Sequence, residues 1–161
     1  MTSGYFKTIS AAAFLTAWMA GGAQAEPPMP LSSFEAPCNA WGTPATCKSS
    51  WSAGKHKSHV IQEYSISTES GAQMFAGRGL YRFADGGKVT GFWEDSQGSI
   101  HPLTGEWDGS TLTINWGSAE TELGRSAYVF GAQGGMTSTD WVLREDKEWH
   151  QFMTVTYTPN H

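Results

Sequence analysis

The chain has little of what most enzyme chemistry needs. It carries two cysteines in 161 residues and no Cys-x-x-Cys pair, which excludes a thioredoxin-like redox motif, a zinc ribbon and covalent haem attachment. No Gly-x-Ser-x-Gly elbow and no phosphate-cradling glycine loop occur. The nearest approach, Gly124-Arg125-Ser126, lacks the closing glycine. The histidines, His56, His59, His101, His150 and His161, never fall as His-x-His or His-x-x-x-His, so no local metal site is marked. Charge is sparse, 16% of residues with a net of −5. The only basic run is Lys55-His56-Lys57, which reads as a solvated loop. A mildly acidic chain without a basic cluster is a poor partner for nucleic acid or an anionic membrane. No apolar run reaches the roughly 20 residues a spanning helix needs, and no long amphipathic helix is visible.

What is present begins with an export signal. Residues 1–25 hold one charge, Lys7, then the apolar stretch Thr8 to Ala20, then small residues at Ala23 and Ala25. These are the three parts of a secretory signal peptide. Cleavage after Ala25 is expected, placing the protein in the periplasm or outside the cell. No cysteine follows the cleavage point, so a lipid anchor is not expected, nor is stable membrane insertion. The remainder is the size of one domain. In an oxidising compartment Cys38 and Cys47 are expected to pair, since Gly42 and Pro44 let the short intervening segment turn back.

The exported part divides in two. Residues 26–58 are rich in Pro, Ser, Ala and Thr without a clear period, and read as an irregular leader pinned by the disulfide. Residues 59–158 show period two. Val60, Gln62, Tyr64 and Ile66 share one face, then Phe75, Tyr81 and Phe83, then Val89, Gly91 and Trp93. A fourth strand covers about Ile100 to Trp107, and Asp108-Gly109 turns it back. Leu112, Ile114 and Trp116 alternate with Thr111, Thr113 and Asn115. A longer strand from about Ala119 to Phe130 is less regular. Thr139, Trp141 and Leu143 alternate, and Trp149, Gln151, Met153, Val155 and Tyr157 line one side of the last strand. Val89, Trp93, Leu112, Ile114, Trp116, Trp141 and Leu143 are expected to face inward. The fold class is therefore all-β, about eight antiparallel strands in an up-and-down meander. Closing such a meander removes its exposed edges, which favours a barrel. A two-sheet sandwich has a similar signature. Glycines inside strands (Gly77, Gly79, Gly91, Gly105) suit the bends of a barrel.

The segments Gly91-Phe92-Trp93-Glu94-Asp95-Ser96 and Gly105-Glu106-Trp107-Asp108-Gly109, with Leu112 and the ending Trp149 to Tyr157, resemble an uncharacterised bacterial family of lipocalin-like, or calycin-like, β-barrels. The likeness spans most of residues 59–158. It implies a barrel able to hold an apolar molecule and carries no established catalytic residues.

Three groups of side chains are candidates for chemistry. Any one strand tryptophan is more often core than pocket, because tryptophan is strongly buried on average. Trp93 and Trp116 each close a same-face apolar series and are the better pocket candidates. His101 and His150 can meet across a barrel and either can ligate haem iron, although a hydrogen-bonded surface role is the commoner one. Among carboxylates, Glu94 and Glu106 form the pair to test for glycan hydrolysis, against the simpler reading of solvated acids near turns. Arg125 and Asp140 sit mid-strand, where charge is unexpected, and an ion pair or an anchor for a polar ligand head would explain them.

Three classes of function remain open. The first is a carrier or sensor of a small apolar or amphipathic ligand, bound by Tyr81, Trp93, Trp116 and Arg125, with no cofactor and no metal. The second is a small barrel enzyme acting through carboxylates or a single acid. The third is a structural domain with a filled interior. Protein partners, and whether the interior is open or filled, are not fixed by these patterns.

Overall fold

The structure is a computed structural model that describes residues 28–118, 120 and 122–159. The expected signal segment, residues 1–25, lies outside the described residues. Ten strands run in chain order: β1 (Ser33–Ala40), β2 (Thr43–Ala53), β3 (His59–Thr68), β4 (Gln73–Phe83), β5 (Lys88–Asp95), β6 (Ile100–Trp107), β7 (Thr111–Gly117), β8 (Leu123–Phe130), β9 (Met136–Leu143) and β10 (Trp149–Pro159). Each pairs antiparallel with its sequence neighbour, and β1 pairs with β10 to close the ring. The barrel is up-and-down and closed, so the sheet has no free edge.

The count is ten rather than about eight because β1 and β2 occupy the segment read as an irregular leader. Their inward series is Phe34, Ala36, Cys38 and Ala40, then Ala45, Cys47, Ser49 and Trp51. Small alanine, cysteine and serine face inward while Pro37, Thr46 and Ser50 face outward. The polarity contrast that marks a strand is therefore weak. The turn between them is Trp41-Gly42, with φ of 51° and 80°. Positive φ at both central residues is the geometry that matches the twist of two paired strands. The Cys38–Cys47 disulfide lies across this hairpin with Cα atoms 5.9 Å apart, diagonal to the Ala36↔Cys47 and Cys38↔Ala45 pairs.

Three other expectations are corrected. Trp141 and Leu143 face outward. The register sets Ser126 opposite Asp140 and Arg125 opposite Trp141, so Met136, Ser138, Asp140 and Val142 form the inner series of β9. An alternation shows which residues share a face, not which face is inside, and here the outer face carries the large residues. Trp149 and Gln151 also leave the inner series. The pairing slips between Gln151 and Met153, leaving Phe152 as the extra residue of a bulge. Only Met153, Val155 and Tyr157 continue inward, because one added residue flips the face. The long strand expected from Ala119 begins instead at Leu123. Gly117, at φ 83°, ends β7, and a Cβ there would lie 1.8 Å from the carbonyl oxygen of Glu122.

The two ends of the barrel differ. At the end where β1 enters and β10 leaves, the interior is packed with rings. Phe34 meets Phe130 and Tyr157 edge-on at 6.1 and 6.5 Å between centroids. Trp51 sits 5.0 Å from Tyr128 and 5.9 Å from Phe130, and Trp107 lies 5.9 Å from Phe130. Met29 is buried with this cluster. Edge-to-face pairs of this kind add to the area they bury. The Trp51 indole N–H is buried without a hydrogen-bond partner. At the other end the inward residues Phe75, Trp93, His101, Trp116, Val142 and Met153 are only partly buried. One end is plugged and the other is a cup.

Candidate functional site: a half-open aromatic cup

Glycines shape the wall of the cup. A Cβ on Gly77 would lie 2.0 Å from the Trp93 ring, and one on Gly124 would lie 1.9 Å from the Trp116 ring. Each indole thus lies flat over a glycine of the neighbouring strand, held against the wall. Any residue with a side chain at Gly77 or Gly124 would push its indole off the sheet. Gly91 and Gly105 serve differently, since a Cβ at either would meet a neighbouring backbone oxygen at 1.9 Å. Tyr64 packs near Phe75 and Trp93, at 6.1 and 6.4 Å between rings. The His101 ring sits 5.7 Å from Trp116. The disulfide borders the same space, with the Tyr64 hydroxyl 3.5 Å from Cys47 Sγ.

Beneath these rings lies a polar layer. The Tyr81 hydroxyl donates to Gln62 Oε1 at 2.6 Å, and Gln62 Nε2 donates to Ser49 Oγ at 3.2 Å. The Trp116 indole Nε1–H donates to Ser126 Oγ at 3.2 Å, and the Ser126 hydroxyl donates to Asp140 Oδ1 at 2.5 Å. Burial pushes the hydroxyls of Tyr64, Tyr81 and Tyr128 well above the usual phenol range, and it pushes that of Tyr157 up to about 12. All four stay neutral across the physiological range. Burial likewise pushes Asp140 up to about 6, against the lowering effect of the Ser126 hydrogen bond. Asp140 is the charged group at the centre of the layer, and its charge raises all four tyrosines further.

The sequence-derived candidates separate on this frame. Trp93 and Trp116 line the cup. Tyr81 is 1% exposed and forms the floor through its bond to Gln62. Arg125 does not join them. Its partners Asn115 and Trp141 are outward residues, and its guanidinium donates to Asn115 Oδ1 at 3.0 Å and lies 4.3 Å over the Trp149 ring. Asp140, one strand away, faces inward, so the two charges sit on opposite sides of the wall and form no ion pair. Glu94 and Glu106 also point outward, Glu94 opposite Ile100 and Glu106 opposite Lys88, and share no interior space. His101 and His150 reach the rim from different sides. His150 Nε2 lies 2.7 Å from Asp146 Oδ2. Among the described residues no group of three or more His, Cys, Asp and Glu side chains is placed to hold a metal ion.

The sequence reading named Asp140 beside Arg125 as a mid-strand charge but set only Arg125 among the ligand-binding residues. The signal of Asp140 was a lone acid in the middle of a strand, but the reversed face assignment of β9 hid its direction. Two shallow grooves lie on the outer wall. One, of about 460 Å³, runs past Lys88, Thr90, Thr104, Glu106 and Arg125. The other, of about 250 Å³, is floored by Ile61, Leu80, Phe92 and Ile100. No family model matches the chain, and no curated protein matches it significantly.

Proposed function

We propose that the protein is an exported, lipocalin-like carrier or sensor that holds a small apolar or amphipathic molecule in the open half of its barrel. The observation that supports this reading is the asymmetry of the interior. One end is sealed by Phe34, Trp51, Trp107 and Phe130, while Tyr64, Phe75, Trp93, Trp116 and Met153 stay partly exposed on inward positions at the other. A concave, mainly aromatic lining with a few convergent polar groups is the usual character of a small-molecule site. The Cys38–Cys47 bond fits an oxidising compartment. The outer wall carries Glu35, Lys48, Glu63, Arg78, Arg82 and Lys88 on its strands, with Lys48–Glu35 and Arg78–Glu63 ion pairs at 3.0 Å. A membrane-spanning barrel instead presents an apolar band outward, so the wall supports a protein working in water.

A second reading is an enzyme using Asp140 as its single acid or base, favoured by a carboxyl near pH 6 within reach of the cup. The experiment for the first reading is native mass spectrometry of the exported protein, followed by tryptophan quenching with a panel of fatty acids, apolar amines, aromatics and haem. Saturable quenching or a retained molecule is expected. An empty protein that nothing in the panel quenches would leave the filled structural domain in its place.

A further inference from the structure

We infer that the cup selects organic cations, an amine or quaternary ammonium on an apolar body, with Asp140 as the counter-ion and the rings of Tyr64, Trp93 and Trp116 as the cage. The inference rests on the carrier reading and narrows its ligand class.

The charge distribution is the first argument. Asp140 sits on an inward position of β9 between Ser126 and Met153, and no lysine or arginine shares the interior among the described residues. Lys48, Arg78, Arg82 and Lys88 are exposed on the outer wall, and Arg125 is held there by Asn115 and Trp149. The other acid on an inward position, Asp95, lies at the rim, and its Oδ1 is committed to the backbone N–H groups of Gln97 and Ser99. A carboxylate inside a protein normally has a cation or several donors. Here it has one serine hydroxyl, which leaves a negative charge facing the cup.

The second argument is how that carboxylate is held. The chain Trp116 Nε1–H to Ser126 Oγ, and Ser126 O–H to Asp140 Oδ1, has both donors pointing toward the acid. Such a chain favours the ionised form and fixes its orientation, with Oδ1 tied to the wall and Oδ2 left for a ligand. The same tryptophan that donates to Ser126 offers its ring to the cup, because Gly124 lets it lie flat.

The third argument is the lining. Indole and phenol faces attract cations, and they do so most strongly where water is excluded. The tyrosine hydroxyls around Asp140, those of Tyr64, Tyr81, Tyr128 and Tyr157, are neutral at physiological pH, so they add no second negative charge and Asp140 is the anion a cation would meet. The remaining titratable groups toward the cup are His101 and His150 at the rim, with Asp95 in its turn. A carboxylate-headed ligand would meet Asp140 unscreened, so fatty acids are disfavoured.

The test is calorimetric titration of the disulfide-bonded protein at about pH 7.5 with three ligands sharing one body: phenylbutylamine, phenylbutanol and phenylbutyrate. The amine should bind about 10- to 100-fold more tightly than the alcohol, the range of a hydrogen bond to a charged partner, and phenylbutyrate should bind weakest. Asp140→Asn should erase the preference, so that amine and alcohol then bind alike. In the wild type the preference should also fade as the pH drops through about 6, and this needs no variant. If the affinity for the amine falls over the same pH range in Asp140→Asn as well, the fading does not come from Asp140 and the assignment fails. Equal binding of amine and alcohol by the wild type overturns cation selection and leaves the carrier reading standing. Binding of none of the three overturns both.

Discussion

Replacing Asp140 by asparagine should make the protein more stable at neutral pH. The native carboxyl is pushed up to about 6 from an ordinary 3.8 by burial. The native state therefore holds its proton more tightly than the unfolded chain does. As the pH rises from about 4 to about 6, the unfolded state ionises first and the fold loses stability. Above about pH 7 the full penalty is present. A rise from 3.8 to about 6 corresponds to about 3 kcal/mol as an upper bound, and partial exposure to the cup reduces that to about 1–3 kcal/mol. Asparagine removes the charge and keeps an oxygen for the Ser126 hydroxyl. Urea unfolding followed by tryptophan fluorescence, run on both proteins at about pH 4 and pH 7.5, isolates the effect, because every other titrating group cancels between them. The variant should gain about 1–3 kcal/mol at the higher pH and nearly nothing at the lower. A gain of the same size at both values would point to packing instead. A loss at the higher value would mean that the charge is compensated and the reasoning wrong.

Three further outcomes follow from the same geometry. Gly124→Ala should displace the Trp116 ring, break its bond to Ser126 and cost about 1–3 kcal/mol, as overpacking does; near-ultraviolet circular dichroism identical to wild type would contradict this. Replacing both Cys38 and Cys47 by alanine should lower stability by about 2–3 kcal/mol, the value for a short closed loop, with urea midpoints as the measure. Arg125→Ala should leave binding in the cup within about twofold of wild type, since the guanidinium is on the outer wall, and cost under about 1 kcal/mol through its contact with Trp149; a large loss of affinity for phenylbutanol would put Arg125 back in the site.

The closed antiparallel barrel was legible because most strands alternate strongly and adjoin in sequence. Leu112, Ile114 and Trp116 are a clear case: polar neighbours on both sides, and all three found inside. The β1–β2 hairpin was not legible, because a strand whose inner residues are alanine, cysteine and serine barely differs in polarity from a loop. The face of β9 was misread for the opposite reason. Trp141 and Leu143 are large and apolar, yet they complete an outer patch with Trp149 and Arg125, while the inner positions hold Ser138 and Asp140. In a fully apolar interior the larger residues would have gone inside. The polarity of this interior is what reversed the assignment.

That reversal ties fold to function. A barrel of this size could fill its centre with apolar side chains, as the end around Phe34 and Phe130 nearly does. Instead the middle layer holds Ser49, Gln62, Ser126, Ser138, four tyrosines and one carboxylate. Most of those groups satisfy one another, so their net effect on stability is small. Asp140 does not fit that account, because its charge lowers stability at neutral pH and, among the described residues, no lysine or arginine shares its side of the wall. Residues that break the local rules of a fold at a stability cost tend to mark functional sites. The partly exposed rings of Tyr64, Trp93 and Trp116 line the same end of the barrel, Trp116 tied to the carboxylate through Ser126, and Gly77 and Gly124 leave room for the two indoles. A bound cation would lower the pKa of Asp140, and by linkage the penalty that burial imposes on the free protein would become part of the affinity for its ligand.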